Sequence, residues 1–291
     1  MRWTPGGPSD DIEDRRGEGG GGGMRLGGGG GMRVGLGGLV VLGILSFVFK
    51  VDLLSPFLGG GGGGGTLMPA AEPRDPEALA REDRTAEFVT FAVRDIQDTW
   101  TELLPRQQGT QYERSKLVLF RDAVQSACGP ADAASGPFYC PGDRKMYIDL
   151  SFYDELDKRF GAPGDFAQAY VLAHEAGHHL QNLLGIERQM RQQQRANPGA
   201  AKALSVRMEL QADCFAGVWG NSAAKREKLD PGDIEEGLRA AAAIGDDAIQ
   251  RSAGRNPNPE TFTHGSSAQR VEWFKRGFES GRMSACDTFG Q

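Results

Sequence analysis

The sequence has no CxxC pair, no run of basic residues interleaved with aromatics, and no internal repeat. The first absence speaks against a zinc site built from cysteines. The second, with 33 Lys+Arg against 39 Asp+Glu for a formal charge of −6, speaks against nucleic acid as a partner. The third removes repeat architectures. Histidine is scarce as well: the 291 residues contain 4. Long apolar runs are nearly missing, and the single uncharged stretch, Val34 to Phe49, falls a little short of the roughly 20 residues a spanning helix prefers.

What is abundant is glycine, 43 residues, much of it in the amino-terminal quarter, where no core can form. Residues 1–33 read as a disordered Gly-rich tail, because their apolar surface is too small to offset the entropy of ordering them. Residues 34–54 read as a transmembrane signal-anchor helix, preferred over a cleaved signal peptide or a buried core helix. Residues 55–79 form a flexible Gly/Pro-rich linker, and residues 80–291 a folded domain. Arg2, Arg15, Arg16, Arg25 and Arg33 precede the apolar run and only Lys50 lies close behind it. By the positive-inside tendency the tail stays cytoplasmic and the domain is extracytoplasmic, a single-pass protein of the cell membrane. The 4 cysteines all lie beyond that run, and an exported domain would pair them as disulfides, Cys128 with Cys140 and Cys214 with Cys286.

From about Ala80 the pattern is α+β with helix dominating. Phe88, Phe91, Ala92, Ile96, Trp100 and Leu103 fall at helical spacing. The segments "SKLVLF", "GPFYC" and "RKMYIDL" are short, apolar and bounded by turn residues, so they predict a small sheet of three or four strands. Helices resume after Ser151. In "DFAQAYVLAHEAGHHLQNLLG", Asp165 and Gln168 fit a capping box and Gly185 a left-handed end. Phe166, Tyr170, Ala173, Gly177, Leu180 and Leu184 mark the core-facing stripe of that helix.

Three of the histidines lie on this helix. His174 and His178 are one turn apart with Glu175 beside the first, the HExxH arrangement in which two imidazoles converge on Zn2+ and the Glu activates water. His179 is rotated about 100° from His178 and is expected only to hydrogen-bond at the protein surface. A catalytic zinc needs a third protein ligand. In "RMELQADCFAGVW", Glu209 and Asp213 share a helix face, so Glu209 is expected to bind the metal and Asp213 to orient one of the imidazoles. Gln181 and Leu184 occupy the positions where a metzincin carries its glycine and third histidine, which excludes that class. His264 precedes Ser266 and Gln269, a capping box opening a last helix, and is a candidate catalytic donor to an oxyanion. Arg270 reads as a second donor or a partner of the carboxylates.

The motifs "CGPADAASGPFYCPGDRKMYIDLSFYDEL", "LAHEAGHHLQNLLG", "ELQADCFAGVW" and "FTHGSSAQRVEWF" together resemble the bacterial neutral zinc metallopeptidase family, and the likeness extends to the opening "MRW" and "DIEDRRG". The resemblance implies a zincin-like domain with His174, His178 and Glu209 at the metal and Glu175 as the base. The expectation is therefore a membrane-anchored, zinc-dependent peptidase acting on peptide or protein substrates. The alternatives are a membrane-tethered zinc-binding assembly or interaction factor without turnover, and a helical domain with an accidental HExxH.

Overall fold

The period-2 alternation of the strands sets the architecture. The computed structural model describes residues 1–18 and 75–290. A four-stranded sheet runs in the order β1 (Ile12–Asp14), β2 (Lys116–Phe120), β6 (Lys145–Asp149), β5 (Phe138–Cys140); the first three are parallel and β5 is antiparallel to β6. Successive side chains point to opposite faces. Leu117, Leu119, Met146 and Ile148 therefore enter the main core under the helices, while Val118, Phe120, Tyr147 and Cys140 form a second cluster with Val124 and Phe138. A two-stranded hairpin, β3 (Ala123–Ser126) and β4 (Gly129–Asp132), lies between β2 and β5 in the chain.

The long helix α1 (Pro76–Gln108) buries Phe88, Val89, Ala92, Val93, Ile96, Trp100 and Leu104. After β6 come α2 (Ser151–Lys158), α3 (Asp165–Leu183), α4 (Ile186–Ala196), α5 (Ala201–Lys225), α6 (Asp233–Ala243), α7 (Asp246–Ser252) and α8 (Ser267–Ser280). Helices α3, α5 and α8 meet through glycines. A Cβ on Gly177 would lie 2.9 Å from Ala212 Cα, and one on Gly277 only 1.9 Å from the Cys214 carbonyl oxygen. These contacts let α5 lie against both neighbours at backbone distance, which brings its carboxylates to the histidines of α3. Both expected disulfides are present, and Cys214–Cys286 fastens the chain's last 3-10 turn to α5.

The described part of the amino-terminal tail is ordered, which corrects the expectation of disorder. Strand β1 adds to the edge of β2, pairing Ile12 with Leu117 and Asp14 with Leu119. Trp3 packs edge-on against Phe88 at 5.3 Å, and Asp11 accepts two hydrogen bonds from the Arg114 guanidinium at 2.9 and 2.6 Å. The Met1 ammonium lies 2.7 Å from Asp165 and 3.2 Å from Asp233. Asp165 is therefore engaged by this cation rather than in the expected capping box; the helix is preceded by Gly164, without a side-chain cap.

The membrane topology is corrected too. The expected span at 34–54 lies outside the described residues, and among the described residues no helix is long and apolar enough to cross a membrane. Pairing of residues 12–14 with 117–119 also puts both segments on the same side of any bilayer. The expected fold class, with a disordered tail and a spanning helix, is therefore not what the described residues show. A single-pass protein, with a membrane partner and an extracytoplasmic domain, is not supported. What stands is a mostly helical domain with small sheets.

Candidate metal centre

The stripe Phe166, Tyr170, Ala173 and Leu180 is fully buried, and this fixes the rotation of α3. His174 and His178 then face α5 with their rings 4.8 Å apart. On α5, Leu210, Phe215 and Val218 enter the core and carry Glu209 to the same place. His174 Nε2 is 3.2 Å from Glu209 Oε2, and His178 Nε2 is 3.5 Å from Glu209 Oε1. Three donors bound to one zinc at tetrahedral angles stand about 3.3 Å from one another, close to both of these separations, and all three ligand atoms lie within 4.8 Å of one another. Two imidazoles and a carboxylate also suit zinc better than magnesium or calcium, which take oxygen ligands.

The outer nitrogens are held as well. His174 Nδ1 donates to Asp213 Oδ1 at 2.9 Å, and His178 Nδ1 donates to Gln181 Oε1 at 2.9 Å. Acceptors at both Nδ1 atoms leave both Nε2 lone pairs facing Glu209. Gln181 is held in turn, since its amide donates to the Met208 carbonyl at 2.7 Å. Asp213 is completely buried and accepts from Tyr170 Oη at 2.5 Å and from Arg270 Nε and Nη2 at 2.8 and 2.9 Å.

The charges favour a cation at this point. Burial alone would lower the His174 pKa, but the charge of Asp213 and hydrogen bonds to Asp213 and Glu209 raise it to about 10. Burial works upward on Glu209, yet the neighbouring His178 and His174 hold its carboxyl well below the usual range. The field that favours positive charge on His174 is one that a bound metal ion would equally satisfy.

The centre opens into a cavity of about 490 Å³ whose walls include Glu175, His264 and Arg270. Burial acts to lower the pKa of His264, but the Asp246 hydrogen bond and the Glu209 charge raise it overall. Asp246 holds this loop by accepting from the backbone N–H groups of Thr263, His264 and Gly265 at 2.7, 2.7 and 3.0 Å, and it lies 3.1 Å from His264 Nδ1. Phe138 and Tyr139 of β5, the end strand of the sheet among the described residues, also line the cavity.

A family model described as "Putative neutral zinc metallopeptidase" matches residues 1–289. The chain belongs to this family. Its relatives include the uncharacterized protein YpfJ of Escherichia coli K12, 45% identical over 294 residues covering 100% of this chain and 99% of that protein. The uncharacterized protein Rv2575 of Mycobacterium tuberculosis is 45% identical over 205 residues, 67% of each chain. No solved structure gives a significant match. The family's match begins at residue 1, so the ordered amino-terminal segment falls within it.

His174, His178 and Glu209 thus come together as one cluster with Asp213 hydrogen-bonded behind His174, and Glu175 and His264 line the cavity beside it. Sequence reasoning missed three residues around the centre. Tyr170 and Gln181 stand four before His174 and three after His178, a same-face spacing that a second reading of the helix could have used. Arg270, read as a second donor or a partner of the carboxylates, is the partner of Asp213. Asp246 precedes His264 by 18 residues, and no local pattern links them.

Proposed function

We propose that this chain is a zinc-dependent peptidase. The observation that carries the reading is the convergence of the Nε2 atoms of His174 and His178 with the Glu209 carboxylate on a cavity that Glu175 also lines. A purely structural zinc site usually fills its fourth position with a protein ligand, whereas this donor set faces open space. That geometry favours an enzyme over a zinc-holding assembly factor.

Zinc, when bound by these three residues, supplies a Lewis acid that polarises the scissile carbonyl and acidifies water. Glu175 takes the proton of the attacking water and returns it to the departing amine nitrogen. His264, turned by Asp246 so that Nδ1 is engaged, keeps Nε2 to donate to the developing oxyanion. Asp213 and Gln181 keep the two imidazoles in the Nδ1–H tautomer throughout the cycle. The free edge of β5 offers backbone groups to an extended peptide, which selects unfolded segments as substrates.

The test pairs the wild type with Glu175→Gln. Both are expected to hold one zinc, and only the wild type is expected to cleave unfolded protein, with the variant slower by about 10²–10⁴-fold. Zinc retention with no cleavage by either protein would favour the binding-factor reading.

A further inference from the structure

His179, the third histidine of α3, is 1% exposed and takes no part in the metal cluster. It was expected at the surface, but the helical rotation that points His178 to the cavity points His179 at the sheet. Its ring lies between Tyr112 and Tyr139, with centroids 5.5 and 5.3 Å away. Nε2 is 2.6 Å from the Glu113 carbonyl oxygen, which can only accept, so Nε2 carries the proton. Nδ1 then has a free lone pair and accepts from the Tyr139 hydroxyl at 3.0 Å.

Tyr139 is the middle residue of β5. Its neighbours Phe138 and Cys140 face the far side of the sheet, where Phe138 stacks on Tyr147 at 4.8 Å and Cys140 is bonded to Cys128. On the near side, the Tyr139–His179 hydrogen bond ties the strand directly to the helix that carries the metal ligands.

We propose that His179 and Tyr139 are positioning residues that fix the gap between the free edge of β5 and the metal-ligating face of α3, and so the register of an extended peptide entering it. The inference rests on the peptidase reading only in naming a peptide as the occupant. A strand added to β5 must lie about 4.8 Å from it while its carbonyl meets the metal. Both conditions hold only at one separation of strand and helix, and a 1 Å error in such a placement is worth about 10²-fold.

The experiment uses the full chain as wild type, Tyr139→Phe and His179→Gln. Zinc content is measured first, so that loss of metal is recognised as such. Affinity is then measured for acetohydroxamate, which engages only the metal, and for a dipeptidyl hydroxamate, which also needs the strand. The expected result is unchanged acetohydroxamate affinity in both variants, with dipeptidyl hydroxamate affinity weaker by about tenfold for each hydrogen bond lost. Tyr139→Phe removes one hydroxyl and keeps the ring, so it remains informative if His179→Gln folds poorly. Equal affinity of the wild type for both probes, unchanged dipeptidyl affinity in the variants, or a parallel loss for both probes would each overturn the proposal. If the wild type binds zinc and prefers the dipeptidyl probe yet cleaves no peptide, the peptidase reading fails and the clamp stands.

Discussion

Replacing Asp213 with Asn changes one atom of a fully buried side chain and tests two consequences of the site together. In the wild type the carboxylate accepts four hydrogen bonds, from His174, Tyr170 and twice from Arg270, itself 2% exposed. Asn leaves the guanidinium facing a neutral amide in a buried place, and breaking one side of such a pair costs about 3–5 kcal/mol. Its amide group also presents a donor where His174 Nδ1–H needs an acceptor, or turns away and gives up a bond to Arg270. Loss of an outer partner of a ligating imidazole weakens metal binding by about 10–100-fold, or about 1.4–2.7 kcal/mol. The two effects separate in thermal unfolding with and without zinc. The metal-free variant melts lower than the metal-free wild type, and the increment that saturating zinc adds shrinks as well. A tenfold loss of affinity removes about 1.4 kcal/mol of that increment, or about 3–6 °C for a domain of this size. Competition with a chromophoric chelator measures the affinity directly. If Asp213→Asn binds zinc as tightly as the wild type, Asp213 only stabilises the fold and the account of the imidazole tautomer is wrong.

Asp246→Asn should retain zinc and lower turnover by about tenfold, because His264 loses the carboxylate that raises its pKa; a pH–rate profile identical to that of the wild type would remove His264 from the mechanism. Deleting residues 1–18 should reduce stability by several kcal/mol and promote self-association, since Trp3 and Ile12 leave the core and β2 becomes an exposed edge. An unchanged melting temperature in the deletion would show that segment to be dispensable. Acid should destabilise the fold through Asp95: burial raises its carboxyl, but Arg226 and Lys228 hold it below the ordinary value. Stability from a depressed carboxyl is complete above the unfolded pKa of about 3.9 and lost as pH falls through the folded value, so unfolding should accelerate below about pH 4 and Asp95→Asn should flatten that limb of the pH–stability curve.

The histidine-bearing helix was legible because one physical constraint fixes it. A stripe repeating every three to four residues sets the rotation of α3, and once Phe166 and Leu180 face the core the directions of His174, His178 and His179 follow. The same reasoning placed Glu209 and Asp213. What it could not supply was a distant contact that no local pattern announces. Asp246 reaches His264 across 18 residues in a three-dimensional arrangement that periodicity does not encode. His179 failed for a related reason: its direction was right, but a surface was assumed where β5 and the Glu113 carbonyl close over the helix.

The amino-terminal segment failed on different grounds, and the reason bears on how composition is used. Averaged over residues 1–33, glycine dilutes the apolar content until ordering appears too costly. The calculation belongs to a shorter window, because Met1, Trp3 and Ile12 are anchors within the first 12 residues and the polar groups between them find partners in the folded domain. Asp11 meets Arg114, Glu13 meets Lys145, and Arg16 meets Glu82 and Asp83. Each of these pairs, still in reach of solvent, adds little by itself. Together with an edge-strand ladder they specify one register, since a slip of one residue in β1 would turn Ile12 out of the core. The topological consequence is firmer than the energetic one. Residues 12–14 pair strand to strand with β2, and among the described residues no helix is long and apolar enough to cross a membrane, so the structure gives no support to the cytoplasmic-tail, exported-domain arrangement that the charge distribution had favoured.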